Sequence, residues 1–146
     1  MTCEEKTWEL RQIIEEQLTP LINNDYVLYD LPYHSNIGDL LIWEGELSFL
    51  KGLPFKMLEC GNAFTSNLER KIKKDTIILL HGGGNFGDIW DIHEFKRKVI
   101  KNYPENRIII FPQTVFYQEK ENMLRDIELM LSLIHISEPT RQAEIS

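Results

Sequence analysis

Three short polar segments stand out as the places where this sequence could carry chemistry. The first, second and third polar segments cover residues 33–39 (YHSNIGD), 81–88 (HGGGNFGD) and 112–114 (PQT). A carboxylate or histidine within hydrogen-bond reach of a hydroxyl group can accept or donate its proton, and glycine lets a backbone approach a ligand closely. These residue types indicate a site for a polar or anionic small molecule.

The elements around these segments predict an α/β fold. Apolar runs predict strands over residues 26–30, 55–59, 76–80 and 107–111. Amphipathic spacing predicts helices over 4–18, 39–50 and 92–102, with a short surface helix over 67–74. Such an alternation forms a Rossmann-like parallel sheet flanked by helices. Each polar segment follows a strand, so all three are expected at the carboxyl edge of the sheet, where these folds bind ligands.

The glycines of the second polar segment have two possible roles. Gly82, Gly84 and Gly87 match the dinucleotide-binding spacing G-x-G-x-x-G, but the next strand ends without the acidic residue that would hold a ribose. A P-loop motif is also absent from the sequence. The glycines could present backbone N–H groups to a ligand, or make a tight turn for packing alone. The adjacent polar residues Asn85 and Asp88 favour ligand binding.

Composition limits the class of protein. The chain has 146 residues, a formal net charge of −7 and a pI near 5.1, which allow one compact domain and argue against a general nucleic-acid binder. Cys3 and Cys60 lack the spacing of a metal site, so reduced thiols and no bound metal are expected. The sequence shows no secretory signal and no apolar run of membrane-spanning length, which predicts a cytoplasmic protein.

Residues 131–146 do not resemble natural coding sequence. They read LSLIHISEPTRQAEIS, and the first eleven correspond to the in-frame translation of a transposon-based sequencing adapter. The alternative is a genuine helix end followed by a polar tail. We predict a Rossmann-like domain over residues 1–130, interrupted within a helix, and a non-native tail over residues 131–146. His135 in that tail is given no functional role.

The polar segments together resemble a known family. Asn36-Ile37-Gly38-Asp39, residues 82–88 and residues 109–114 have the order and spacing of the polysaccharide pyruvyltransferase family, and the resemblance covers residues 26–118. It implies two Rossmann-like halves that face a cleft, similar to GT-B glycosyltransferases, with this chain as the N-terminal half. It also implies transfer of pyruvate from phosphoenolpyruvate to a sugar as a ketal, in exopolysaccharide or cell-wall glycan biosynthesis. Phosphoenolpyruvate would be the donor substrate, a sugar or lipid-linked glycan the acceptor, and no cofactor would be needed.

The resemblance assigns roles to the polar segments. Asp39 is the predicted catalytic residue, as a general base or a group that orients the acceptor, although an Asp at this position could also be a helix N-cap. Asp88 could bind the sugar or cap the following helix, and Gln113 could bind hydroxyl groups or close its strand. The predicted substrate-binding residues are Asn36, Gly38, Gly82, Gly83, Gly84, Asn85, Asp88 and Gln113.

Other residues near these segments receive mainly structural interpretations. His34 and His81 could act as acids, or could form structural hydrogen bonds at strand ends. Three aromatic residues are expected to pack in the core or against helices, with the last also a candidate for stacking on a sugar: Trp43, Phe86 and Trp90. Charged residues within the helices are predicted to lie on solvated faces: Glu44, Glu46, Lys96, Arg97 and Lys98.

Two other functions remain open at the level of sequence. One is half of a GT-B-like glycosyltransferase with a nucleotide-sugar donor, and the other is a stand-alone sugar-binding Rossmann-like domain. The resemblance implies that the phosphate-binding Arg and His residues belong mainly to a second half. The 146-residue chain is therefore expected to be inactive alone, with exposed apolar surface near residues 119–130.

The origin of the tail is directly testable. Sequencing the source DNA across the codon for Met130 should show a reading frame that continues into a second α/β half rich in Arg and His. A frame that encodes Leu131 to Ser146 and then stops contradicts the adapter interpretation and favours the stand-alone binding domain.

Overall fold

The computed structural model describes residues 1–33, 36–91 and 93–132, apart from the side chain of Asn85. His34 therefore lies outside the described residues, as does nearly all of the predicted tail. The elements in chain order are α1 (Cys3–Leu18), a 3-10 turn (Thr19–Leu21), β1 (Tyr26–Tyr29), α2 (Ile37–Lys51), β2 (Met57–Gly61), β3 (Ile77–Leu80), β4 (Gly83–Gly87), α3 (His93–Asn102), β5 (Ile108–Ile110), β6 (Gln113–Phe116) and α4 (Lys120–Leu131).

The predicted α/β class is confirmed by a parallel sheet flanked by helices. Four strands lie in the order β2-β1-β3-β5, and every pair is parallel. All residues of β1 and β3 are buried, because helices cover both faces of these central strands. Successive side chains of each strand point to opposite faces of the sheet, so the sheet separates two apolar clusters.

One cluster joins the sheet to α2, and the other joins it to α3. The first contains Trp43 and Leu50 of α2 with Leu28 and Leu79 of the sheet. The second contains buried residues from β1, β3 and α3 and from the turn after α3: Val27, Tyr29, Ile78, Leu80, Phe95, Val99 and Tyr103. The helices that follow β1 and β4 are thus held on opposite faces of the sheet.

The second polar segment is a strand rather than the predicted loop. β4 pairs in parallel with β6, and the third polar segment supplies the start of β6. The partner of Ile78 is Ile108 and the partner of Gly83 is Gln113, so β4 and β6 continue the ladder of β3 and β5 beyond the end of β1. A glycine-rich sequence lacks the β-branched pattern that predicts a strand, which is why the sequence did not reveal it.

One helix prediction is wrong and another is confirmed. Residues 67–74 form turns and irregular structure, since Tyr103 Oη donates to the carbonyls of Leu68 and Arg70 and holds this segment against the second cluster. Helix α1 forms as predicted, with a capping box between Thr2 and Glu5, but of its large apolar residues only Leu18 is buried. Its exposed large apolar residues are Trp8, Leu10, Ile13 and Ile14.

Two of the helical cations predicted on a solvated face of α3 are instead engaged with buried carboxylates. Lys96 is 1% exposed and pairs with Asp30, at the carboxyl end of β1. Arg97 donates from Nε and Nη2 to Asp126 of α4, at 2.6 and 2.8 Å. Lys98 is exposed, as predicted. A buried charge requires such a partner because its transfer from water is otherwise very costly.

Asp126 is the centre of the contact between α3 and α4. Besides Arg97, it accepts hydrogen bonds from His93 Nε2 at 3.1 Å and from Tyr117 Oη. Burial alone would raise the pKa of Asp126, but the hydrogen bonds from His93, Arg97 and Tyr117 hold this pKa below its ordinary value of 3.8. The other face of α4 carries the exposed apolar surface expected near residues 119–130, including Leu124 and Ile127.

None of the helices within the described ranges is long and apolar enough to cross a membrane. Cys3 and Cys60 are both exposed free thiols.

The Asp126 contact predicts a pH-dependent stability. Asp126→Ala should lower the free energy of unfolding by about 3 kcal/mol at pH 7, because it leaves buried donors of Arg97 and His93 without an acceptor. Since the folded pKa of Asp126 lies below the unfolded one, its contribution is complete above about pH 4 and is lost as the pH falls further. In urea unfolding, the free energy of unfolding lost on Asp126→Ala should therefore be about 1 kcal/mol smaller at pH 3 than at pH 7.

The matched control for this experiment is Glu128→Ala, at an exposed position of the same helix. It should change the free energy of unfolding by less than about 0.5 kcal/mol at either pH. An equal loss for both variants, or a loss for Asp126→Ala that does not depend on pH, contradicts the assigned role of Asp126.

Candidate functional site

The first polar segment is held by the start of α2. Asn36 is the N-cap, and its Oδ1 accepts hydrogen bonds from the N–H groups of Gly38 at 2.9 Å and Asp39 at 3.4 Å. Asp39 therefore lies in the first turn of the helix rather than at the cap position considered from sequence. A carboxylate in the first turn is stabilised by the positive end of the helix dipole.

Asp39 lies against the glycine strand. Gly83 adopts a φ of +110°, and a Cβ at this residue would be 3.3 Å from Asp39 Oδ1 and 3.7 Å from Ile42 Cδ1. The first and second polar segments thus meet at the carboxyl edge of β1, as expected from the strand order. The absence of a side chain at Gly83 is what permits the carboxylate to lie so close to the strand.

Glu46 forms a second contact between α2 and the same region, and the sequence-based placement of this residue in solvent is wrong. It is 6% exposed, whereas Glu44 is exposed as predicted. Glu46 Oε1 accepts from the N–H of Gly82 at 2.8 Å, and Oε2 lies 2.8 Å from Nδ1 of His81. A carboxylate only accepts hydrogen bonds, so Nδ1 of His81 is the donor in this contact.

The remaining glycines differ in their surroundings. A Cβ at Gly82 would overlap the carbonyl oxygen of Pro112, just before β6, and one at Gly87 would overlap that of Phe116 in β6, so both positions are closed by backbone packing. Gly84 is exposed, and a Cβ there would meet nothing within 4 Å. Gly84 is the glycine of this segment whose surroundings leave most room for a ligand.

The third polar segment places Gln113 beside the glycine strand. This residue pairs with Gly83 in the β4–β6 ladder, and its side chain is partly exposed. Within the described part of the chain, the amide oxygen of Gln113 is buried without a hydrogen-bond partner, as are Nε2 of His81 and Oδ1 of Asp30. Unsatisfied polar atoms are unusual in a folded interior and mark places where water or a ligand group can bind.

Asp88 has a structural position. Its carboxylate accepts from the backbone N–H groups of Gln118 at 2.7 Å and Glu119 at 2.9 Å, and from Asn122 Nδ2 at 3.1 Å. The hydrogen bond from Gln118, with those from Asn122 and Glu119, lowers the pKa of Asp88. Asp88 thus holds the residues at the start of α4, about thirty residues further along the chain.

A cleft of about 740 Å³ lies between α3 and α4, beside Asp88. Trp90, Arg97 and Arg125 contribute to its lining. Trp90 is 60% exposed, so it is not a core residue, and its possible stacking on a sugar stays a prediction, whereas Trp43 and Phe86 are buried as predicted. No group of three or more potential metal ligands occurs among the residues that the structure describes.

Comparison with known proteins gives the family. A profile of polysaccharide pyruvyl transferases matches residues 36–133, from the N-cap of α2 to just beyond the end of α4. The chain belongs to the polysaccharide pyruvyl transferase family. The matched range includes Asn36, Asp39, Glu46 and the glycine strand, so the candidate site lies within it.

Individual proteins from other organisms are also similar to this chain. EpsO of Bacillus subtilis is 30% identical over 135 residues, which cover 91% of this chain and 42% of EpsO. Pyruvyl transferase 1 of Schizosaccharomyces pombe is 35% identical over 103 residues, 64% of this chain and 26% of that protein. General stress protein 30 of B. subtilis is 32% identical over 101 residues, 64% of this chain and 29% of that protein. The chain thus spans less than half the length of each of these relatives.

The glycine geometry leads to a paired prediction. Gly82→Ala should lower the free energy of unfolding by roughly 2–3 kcal/mol, because its methyl group would overlap a backbone carbonyl that β6 cannot easily move. Gly84→Ala should change it by less than about 0.5 kcal/mol, since the position is open. Urea unfolding of both variants measures the difference, and equal losses would show that β4 is not packed as described.

Proposed function

We propose that this chain supplies the acceptor-sugar site of an enzyme that transfers pyruvate from phosphoenolpyruvate to a sugar as a ketal. The observation that supports the proposal most directly is the contact of the Asp39 carboxylate with the glycine strand at the carboxyl edge of a parallel sheet. Family membership and the position of ligand sites in such sheets support it further. The donor phosphate would be bound by a second half, which faces this edge.

The reaction forms two C–O bonds and one C–H bond. One sugar hydroxyl adds to C2 of phosphoenolpyruvate, and the methylene carbon C3 takes up a proton and becomes a methyl group. The C2–O bond to phosphate then breaks, the second hydroxyl adds to C2, and its proton leaves with the phosphate. The protein must therefore orient two hydroxyl groups and remove their protons as they attack.

Asp39 is the group suited to this task. A carboxylate can accept the proton of an attacking hydroxyl group or hold that hydroxyl group in position. Gly84 is an open position on the same strand where a sugar could approach, and the amide of Gln113 can bind a further hydroxyl group. Asn36 and Gly38 hold the first turn of α2 and thereby hold Asp39.

The proposal predicts a specific effect of Asp39→Asn on acceptor binding. Titration of the ¹⁵N-labelled chain with a panel of methyl pyranosides should shift the amide resonances of Gly83 and Gly84. The variant should bind the best of these sugars at least about tenfold more weakly, because it loses a charge-assisted hydrogen bond. Glu44→Gln, on the exposed face of the same helix, is the matched control and should bind as the wild type does.

Catalysis gives an independent readout. The 146-residue chain should release no phosphate from phosphoenolpyruvate in the presence of a sugar, and turnover by this chain alone would contradict the two-half arrangement. A parent protein with both halves should release phosphate, and Asp39→Asn should reduce that rate by about a hundredfold or more. Release of a nucleotide from a nucleotide-sugar, with none of phosphate from phosphoenolpyruvate, would instead identify a glycosyltransferase.

A further inference from the structure

We propose that Glu46 is a positioning residue of the candidate site. Its carboxylate accepts the N–H of Gly82, a residue at which the regular hydrogen bonding between neighbouring strands is interrupted. We call this one-residue interruption the slip, and it places Gly83 against Asp39. The consequence of this placement for chemistry rests on the function proposed above, whereas the placement itself does not.

The slip is visible in the hydrogen bonds of β3. Successive N–H groups of a strand point to alternate neighbours. Ile77 and His81 donate to carbonyl groups on the β1 side, at 3.1 and 3.0 Å, whereas Ile78 donates to a carbonyl on the β5 side at 2.9 Å. By this alternation the N–H of Gly82 should point toward the β5 side.

Gly82 breaks the alternation. Its N–H donates to Glu46 Oε1, while Gly83, one residue later, donates to the carbonyl of Pro112 at 3.2 Å and so resumes the ladder on the β5 and β6 side. The N–H of Gly82 thus belongs to neither ladder. Without Glu46 it would be a buried donor with no acceptor, which is strongly disfavoured.

The slip has a consequence two turns away on α2. Gly83 follows it with a positive φ, and its Cα then faces Asp39 and Ile42. Asp39 and Glu46 are seven residues apart, so they lie on the same face of the helix. One rigid helix therefore carries both the carboxylate that holds Gly82 and the carboxylate that Gly83 approaches.

A purely structural contact would not require a carboxylate at this position. Glu46 and His81 are 6% and 3% exposed, and an apolar pair of similar size would attach α2 to the sheet without the cost of desolvating a charge. What a carboxylate adds is direction, since its two oxygens accept from Gly82 and from His81 at fixed angles. The polar contact thus specifies where the chain goes after His81.

The test compares three variants by NMR of the full 146-residue chain. Glu46→Met keeps the volume but has no carboxylate, Glu46→Gln keeps an acceptor for Gly82, and Glu44→Gln is the exposed control on the same helix. The nuclear Overhauser effect between the Ile42 δ1 methyl group and the Gly83 α protons reports the placement directly. The wild type should show this effect, together with a slowly exchanging Gly82 amide.

We expect Glu46→Met to lose the Ile42–Gly83 effect and to exchange its Gly82 amide at least about tenfold faster, while the protection of Leu79 in the core of β3 is kept. Glu46→Gln and the control should retain the effect. A folded Glu46→Met variant with an unchanged effect overturns the proposal. So does rapid exchange of Gly82 in the wild type, a measurement that does not depend on any variant folding.

A titration of the same samples with methyl pyranosides separates this proposal from the proposed function. Weaker binding by Glu46→Met, by about tenfold and with the Ile42–Gly83 effect lost, supports both. A wild type that shows the effect but binds no pyranoside contradicts the sugar site and leaves the positioning role supported. Wild-type affinity in a variant that has lost the effect would contradict the link between placement and binding.

Discussion

The close approach of β4 to β6 is the constraint on which the carboxyl edge of this domain depends. A side chain at Gly87 would overlap the carbonyl group of Phe116 in β6, and one at Gly82, just before β4, would overlap that of Pro112, just before β6. The chain can follow this path only if both residues are glycine. Because β4 and β6 extend past the end of β1, they leave one side of β4 without a neighbouring strand. The first turn of α2 occupies the place beside Gly83, and this brings Asp39 to the strand.

Buried carboxylates fasten the helices around this extension. Glu46 joins α2 to the end of β3, Asp30 joins the end of β1 to α3 through Lys96, and Asp126 joins α3 to α4 through Arg97. Each carboxylate must find its donors in one arrangement, since a displaced partner would leave a buried charge unpaired. Such contacts stabilise less than apolar packing would, but they define the relative positions of the elements that surround the site.

Much of the fold could be predicted from sequence because it depends on apolar patterns. The strands around Ile78 and Ile109 are recognisable as continuous apolar runs, and the helices by their spacing. The glycine strand could not be recognised in this way, since its pairing depends on the absence of side chains. Glu46 and Lys96 were assigned to solvent by their charge alone. For Glu46 the spacing contained the correct signal, because this residue lies three residues after Trp43 and four before Leu50, on the buried stripe of α2.

Site residues in segments that follow strands could be predicted from the sequence. Residues whose hydrogen-bond partners are distant in sequence could be predicted less well. Asp39 and Gly83 could be placed together because the carboxyl ends of parallel strands share an edge. The partners of Asp88 lie about thirty residues further along the chain, and nothing local indicates them. Asp88 shows why a polar residue beside a glycine motif need not face a ligand. Its carboxylate accepts three hydrogen bonds from the start of α4, so sugar binding by Asp88 would compete with them. Within the described residues, the open position of Gly84 and the amide oxygen of Gln113 have no such competing contact.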